Sequence, residues 1–109
     1  MSDIQELTKA LIGFRDARDW AQYHNPKDLA AALSIEASEL LECYLWRDAE
    51  QAELPRVKEE LADVLSYALM LADHYKLDVK QVVLDKMEKN AEKYPVEKAK
   101  GKMTKYDKL

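Results

Sequence analysis

Apolar residues recur along most of the chain at helical spacing, and the pattern resolves into four segments. Near the start Ile4, Leu7, Leu11 and Phe14 fall at i, i+3, i+7 and i+10, one stripe of an amphipathic helix. Asp3, with Glu6 three residues on, fits an N-terminal capping box, and this helix is expected to fade near Trp20 or Ala21. Asn25-Pro26 supplies an N-cap followed by proline at the first helical position, opening a long second helix through Leu29, Leu33, Leu40, Leu41 and Trp46. After a polar stretch from Arg47 to Glu53, Pro55 starts a third helix carrying Leu61, Val64, Leu65, Ala68, Leu69 and Ala72, ending near Tyr75 or Lys76. Asp78 caps a fourth, in which Val79, Val82, Val83, Lys86, Met87 and Asn90 share one face until Pro95 stops it. An extended tail is expected beyond.

Four helices on short connections predict an all-α four-helix bundle. A chain of 109 residues provides one such domain, assigned here to residues 1–96, with 97–109 as a basic C-terminal tail. Composition agrees: 48% hydrophobic and 35% charged residues with two glycines and three prolines suit helices, whereas short strands need frequent Gly and Pro turns. Cys43 is the sole cysteine, so no intrachain disulfide or paired zinc motif is available, and a reducing cytoplasmic setting is expected. With Met70 it reads as core filler. No run reaches the length of a membrane span, so no membrane partner is expected.

The net charge of −4 hides a division. Residues 1–85 hold 9 Lys or Arg against 17 Asp or Glu, while residues 86–109 hold 8 Lys against 4 acids. An acidic body without a basic recognition helix argues against nucleic acid as a partner. A lysine-rich tail near carboxylates suits a metal-bound polyphosphate, although such tails are ordinarily just solvated.

The chemistry-bearing pattern is acid on the interior stripe. Glu36 and Glu39 on the second helix, and Glu60 and Asp63 on the third, each lie three residues apart, so each pair projects about 60° apart on one face. One such pair is usually a solvated face. Two, flanked by Leu33, Leu40, Leu61, Val64 and Leu65, would bury anions at prohibitive cost without a counter-charge. Oxygen-only ligands select a hard ion, Mg²⁺ or Mn²⁺. A di-iron bundle would need Glu-x-x-His, and neither Glu39 nor Glu60 is followed by His at that distance; the histidines, His24 and His74, lie elsewhere.

The Glu36-Ala37-Ser38-Glu39 and Glu60-Leu61-Ala62-Asp63 arrangement resembles the metal motif of the MazG-like all-α nucleoside triphosphate pyrophosphohydrolases. Arg18-Asp19-Trp20-Ala21-Gln22-Tyr23-His24-Asn25-Pro26, Trp46, Tyr67, Lys86-Met87-Glu88-Lys89-Asn90 and Lys93-Tyr94-Pro95-Val96 are similar to the deoxycytidine triphosphate pyrophosphatase branch, in order from about Phe14 to Tyr106. That resemblance implies a homodimer or homotetramer hydrolysing a nucleoside triphosphate, dCTP or a related pyrimidine, to monophosphate and pyrophosphate. It implies Glu36, Glu39, Glu60 and Asp63 as Mg²⁺ ligands and catalytic residues, Glu39 being favoured as proton acceptor. Lys86, Asn90 and Lys93 would meet the phosphates, Trp20 and Trp46 would stack on the base, and His24 and Tyr67 would read its edge or hold the sugar. Two alternatives stand beside this: a broad house-cleaning hydrolase of non-canonical nucleotides, and a non-catalytic helical oligomer whose acids pair with the basic tail.

Overall fold

The structure, a computed structural model, describes all residues from Met1 to Leu109. It is all-helical, without strands, and its chain divides into two compact units, Met1–Leu77 and Asp78–Leu109. The first contains α1 (Asp3–Asp16), α2 (Pro26–Glu42) and α3 (Leu54–His74), with 3-10 turns at Trp20–Tyr23 and Ala49–Gln51. The second contains α4 (Val79–Lys93), the one-turn α5 (Val96–Ala99) and a final 3-10 turn at Tyr106–Lys108.

In the first unit, α2 and α3 lie side by side and α1 rests on α3. The start of α1 is set one residue earlier than the Asp3-Glu6 pattern suggests. Ser2 is the N-cap: Gln5 N–H donates to its hydroxyl (3.2 Å) and Ser2 N–H donates to the Gln5 amide oxygen (2.9 Å). A hydroxyl followed three residues later by an amide closes the box that the two acids do not. The helix ends at Asp16, short of Trp20, because the backbone at Asp19 turns left-handed (φ 55°).

Helix α2 opens as expected, with Asn25 accepting from Asp28 N–H at 2.9 Å and Pro26 at the first position. It stops at Glu42, so Trp46 lies beyond its end. Helix α3 starts at Leu54 and closes with Lys76 in the left-handed region (φ 55°); Lys76 N–H donates to Asp73 O and Leu77 N–H to Ala72 O. That pair of bonds satisfies carbonyls the helix end would otherwise strand.

The buried residues are Leu29 and Cys43 from the α2 region, which are fully enclosed, and Leu69 and Met70 of α3. Cys43 and Met70 are core filler, as expected. Leu33 and Leu40 are half-buried, whereas Leu41, Leu61 and Leu65 stay exposed. Three helices cannot enclose both flanks of so wide an apolar face.

In the second unit, Asp78 caps α4 by accepting from Gln81 N–H (3.1 Å), and every α4 residue after Val79 is exposed. The segment beyond Pro95 departs from the extended tail expected. With its φ fixed near the helical value, Pro95 leads into α5, and Gly101 (φ 75°) turns the chain back. Tyr106 then meets the Tyr94 ring edge to face at 6.1 Å, with Lys93 Nζ 4.8 Å from the Tyr106 centroid.

Candidate metal and nucleotide site

Two parallel choices of spacing build the acidic cluster. A three-residue interval on a helix puts both side chains toward the same neighbour, so α2 presents Glu36 and Glu39 while α3 presents Glu60 and Asp63. One carboxylate oxygen from each of Glu36, Glu60 and Asp63 lies within 4.8 Å of the others. Glu36, Glu39 and Glu60 are half-buried, and Asp63 is exposed.

Glu39 belongs to the same cluster electrostatically. Hydrogen bonding of its acid form to Glu36, followed by the charge of Glu36, raises its carboxyl above the usual range. Glu60 is also raised, first by desolvation and then by the charge of Glu39. Within the first unit no lysine or arginine forms an ion pair with any of the four; Arg56 pairs instead with Glu42 at 3.7 Å.

Glu36 Oε2 and Glu60 Oε2 are buried without any hydrogen-bond partner. Buried carboxylate oxygens are normally satisfied, and here repulsion adds to the cost. A hard divalent cation would remove both penalties, and the all-oxygen donor set of Glu36, Glu60 and Asp63, with Glu39 alongside, could hold one.

Tyr67 stands one turn beyond Asp63 on α3. Burial, then the charges of Glu36, Asp63 and Glu39, keep its hydroxyl protonated beyond the usual phenol range. His24, at the end of the Trp20–Tyr23 turn, meets the Tyr67 ring edge to face with centroids 6.4 Å apart. Its Nδ1 is buried and unpartnered, and its pKa is lowered by burial and then by Arg15. A neutral imidazole and a neutral phenol thus stand together at one edge of the acids, suited to hydrogen bonding with an uncharged group.

The remaining expected residues belong to other elements. Trp20 opens its 3-10 turn half-exposed, against Phe14. Trp46 is 99% exposed with a left-handed backbone (φ 63°), its indole in solvent. Lys86, Asn90 and Lys93 lie along one stripe of α4 in the second unit, all exposed. Arg18, which carries no role of its own in the pattern above, places its guanidinium on the Phe14 ring, a contact open to residues four apart on a helix.

Known proteins share this arrangement of sequence and fold. The chain is 37% identical to dCTP pyrophosphatase 1 of Bos taurus, with 97% of this chain and 68% of that protein covered. It is 36% identical to the Homo sapiens dCTP pyrophosphatase 1 over 97% of this chain and 67% of that one. The crystal structure of a pyrophosphatase from Archaeoglobus fulgidus superimposes with a TM-score of 0.80 at 42% identity, covering 87% of this chain and 94% of that chain. The model of the MazG-like family matches residues 31–109, which span both acidic pairs of the cluster, and on this evidence the chain belongs to the MazG-like family.

Proposed function

We propose that this protein is a Mg²⁺-dependent dCTP pyrophosphohydrolase, cleaving dCTP and water to dCMP and pyrophosphate. That it is an enzyme of the nucleoside triphosphate pyrophosphohydrolase class follows from its family and its dCTP pyrophosphatase relatives. The observation that carries the metal-dependent reading is the pair of buried, unpartnered oxygens on Glu36 and Glu60 inside a cluster whose acids form no ion pair with lysine or arginine. The family likeness supports the substrate.

In this reading Glu36, Glu39, Glu60 and Asp63 hold the metal. Bound Mg²⁺ neutralises triphosphate charge and promotes attack by water. Glu39, one turn from Glu36 on α2, accepts a proton from the attacking water as the bond between the α- and β-phosphates breaks and pyrophosphate departs. Lys86, Asn90 and Lys93 contact the phosphates. Trp20 and Trp46 stack on cytosine, while His24 and Tyr67 hydrogen-bond to its edge or to the sugar.

Residues 1–96 act as a four-helix catalytic bundle and 97–109 as a basic tail, in a homodimer or homotetramer within the cytoplasm. The exposed Ile35, Leu41 and Leu65 support assembly, since such side chains cost free energy in water. Nucleic acid and membrane are not partners in this reading; no helix is long and apolar enough to cross a membrane. Incubation with dCTP and Mg²⁺ tests it: dCMP and pyrophosphate are expected, and orthophosphate release would exclude the reaction. Equal rates on modified and canonical nucleotides would favour a broad house-cleaning hydrolase.

A further inference from the structure

Phe14, Arg18 and Trp20 form a stack at the corner where α1 gives way to the next turn, and the chemistry above makes no use of the arginine. The guanidinium carbon lies 3.5 Å from the Phe14 centroid and 5.9 Å from that of Trp20. Phe14 and Trp20 meet edge to face, with centroids 6.0 Å apart and planes inclined at 69°.

The backbone explains why the arginine lodges there. At the end of α1 the Arg18 N–H turns to Arg15 O (3.1 Å), releasing the Phe14 carbonyl from the ordinary helical bond. Arg18 Nη1 donates to that carbonyl at 2.9 Å. Next, Asp19 takes the left-handed conformation (φ 55°, ψ 34°), bringing Trp20 back toward Phe14. Gln22 Nε2 fixes this turn by donating to the Asp19 carbonyl (3.0 Å) and to Asp19 Oδ2 (3.2 Å).

An arginine that binds phosphate offers a free fork of N–H groups. This one has a flat face on Phe14 and one N–H committed to a main-chain oxygen. Trp20 is 46% exposed and Phe14 53%, so the core does not hold the indole. The guanidinium and the phenyl ring do so instead.

We infer that Arg18 is a positioning residue, clamped on Phe14 so that Trp20 is already oriented to receive the flat base of the substrate. This rests on the reading of Trp20 as a base platform. Immobilising the side chain before binding removes an ordering cost that would otherwise weaken affinity by about 2- to 10-fold. Charge alone does not suffice, because a lysine ammonium lacks the planar face that stacks on the ring.

The experiment combines steady-state kinetics of the full chain on dCTP and Mg²⁺ with fluorescence anisotropy of Trp20 in a Trp46→Phe background without nucleotide. In Arg18→Met and Arg18→Lys, Trp20 should rotate more freely and KM should rise about 2- to 10-fold, with kcat unchanged. Phe14→Leu, which removes the stacking ring but keeps apolar bulk, should do the same and serves if the Arg18 variants fail to fold. Unchanged anisotropy and KM would overturn the clamp. Full rescue by lysine, or a fall in kcat alone, would overturn it too, making charge or chemistry the role of Arg18. Trp20→Ala separates the two readings: an unchanged KM removes the base platform, while the anisotropy still scores the clamp.

Discussion

Glu36 on α2 and Glu60 on α3 face one another with carboxylate oxygens within 4.8 Å, and each keeps its Oε2 buried and unpartnered. Like charges at this distance repel, and neither carboxylate forms an ion pair with a lysine or arginine; Arg56, paired with Glu42, offsets only part of the charge at Glu60. The fold therefore carries, between α2 and α3, a like-charge arrangement that a divalent cation would relieve.

Removing one charge has opposite effects on stability and on activity. Glu36→Gln should melt at a higher temperature than the wild type in EDTA, because repulsion is relieved. The same variant should lose the rise in Tm that Mg²⁺ gives the wild type, along with about 10²-fold or more of turnover. Asp63→Asn should also lose turnover with the helical circular dichroism intact. Thermal melts with and without Mg²⁺, beside pyrophosphate release, measure this; full activity in either variant would remove the metal role.

The raised carboxyls of Glu39 and Glu60 fix a pH dependence. A carboxyl raised in the fold binds more protons there than in the unfolded chain, so its contribution penalises the folded state as pH climbs from the ordinary value of 4.5 through the raised one. Without metal, wild-type stability should decline relative to Glu39→Gln over that window. Below it, where both forms are protonated, the difference should vanish. Urea titrations across pH in EDTA test this. Added Mg²⁺ should cancel the decline, since it favours the ionised form.

Asn25 holds the start of the helix that presents Glu36 and Glu39. Its Oδ1 accepts from Asp28 N–H at 2.9 Å, and its Nδ2 donates to Asp28 Oδ2 at 2.7 Å. Asn25→Ala should cost about 1 kcal/mol, lowering Tm by about 4 °C. Because the acids lie three turns away, kcat should be unchanged. Asn25→Asp retains the acceptor but places its charge beside Asp28, so it should recover only part of the loss.

The elements that follow from local chemistry were legible in the sequence. Asn25-Pro26 and Asp78 mark helix starts that side-chain caps alone determine, and the acid pairs on α2 and α3 converge because i,i+3 spacing is geometric. The misread features depend on how the chain closes on itself. Ser2 prevails over Asp3 because Gln5 can reach back to it. Left-handed backbone at Asp19 follows the end of α1, and α2 gives way at Cys43 to a run of i→i−3 bonds that reaches left-handed Trp46; propensity foretells neither. Tyr106 folding onto Tyr94 is a contact across a turn, invisible to periodicity. Arg18 is a subtler case: its spacing from Phe14 was readable, but its placement depends on the carbonyl left open at the helix end.

Trp46 combines a strained backbone with an indole that contributes nothing to the fold of the single chain. Its φ of 63° lies where an L-residue pays about 1–2 kcal/mol and glycine does not. At 99% exposure, deleting the side chain forfeits no burial. Trp46→Gly should therefore keep or slightly raise Tm, glycine's greater freedom when unfolded offsetting part of the gain. If the indole stacks on the base, the same variant should raise KM for dCTP by about 5- to 100-fold, the range expected for losing one base–aromatic stack. A variant as stable as the wild type but weaker in binding would mark Trp46 as a residue retained for its ligand at a cost to the fold. A lowered Tm with unchanged KM would instead make it a structural side chain covered elsewhere in the assembly.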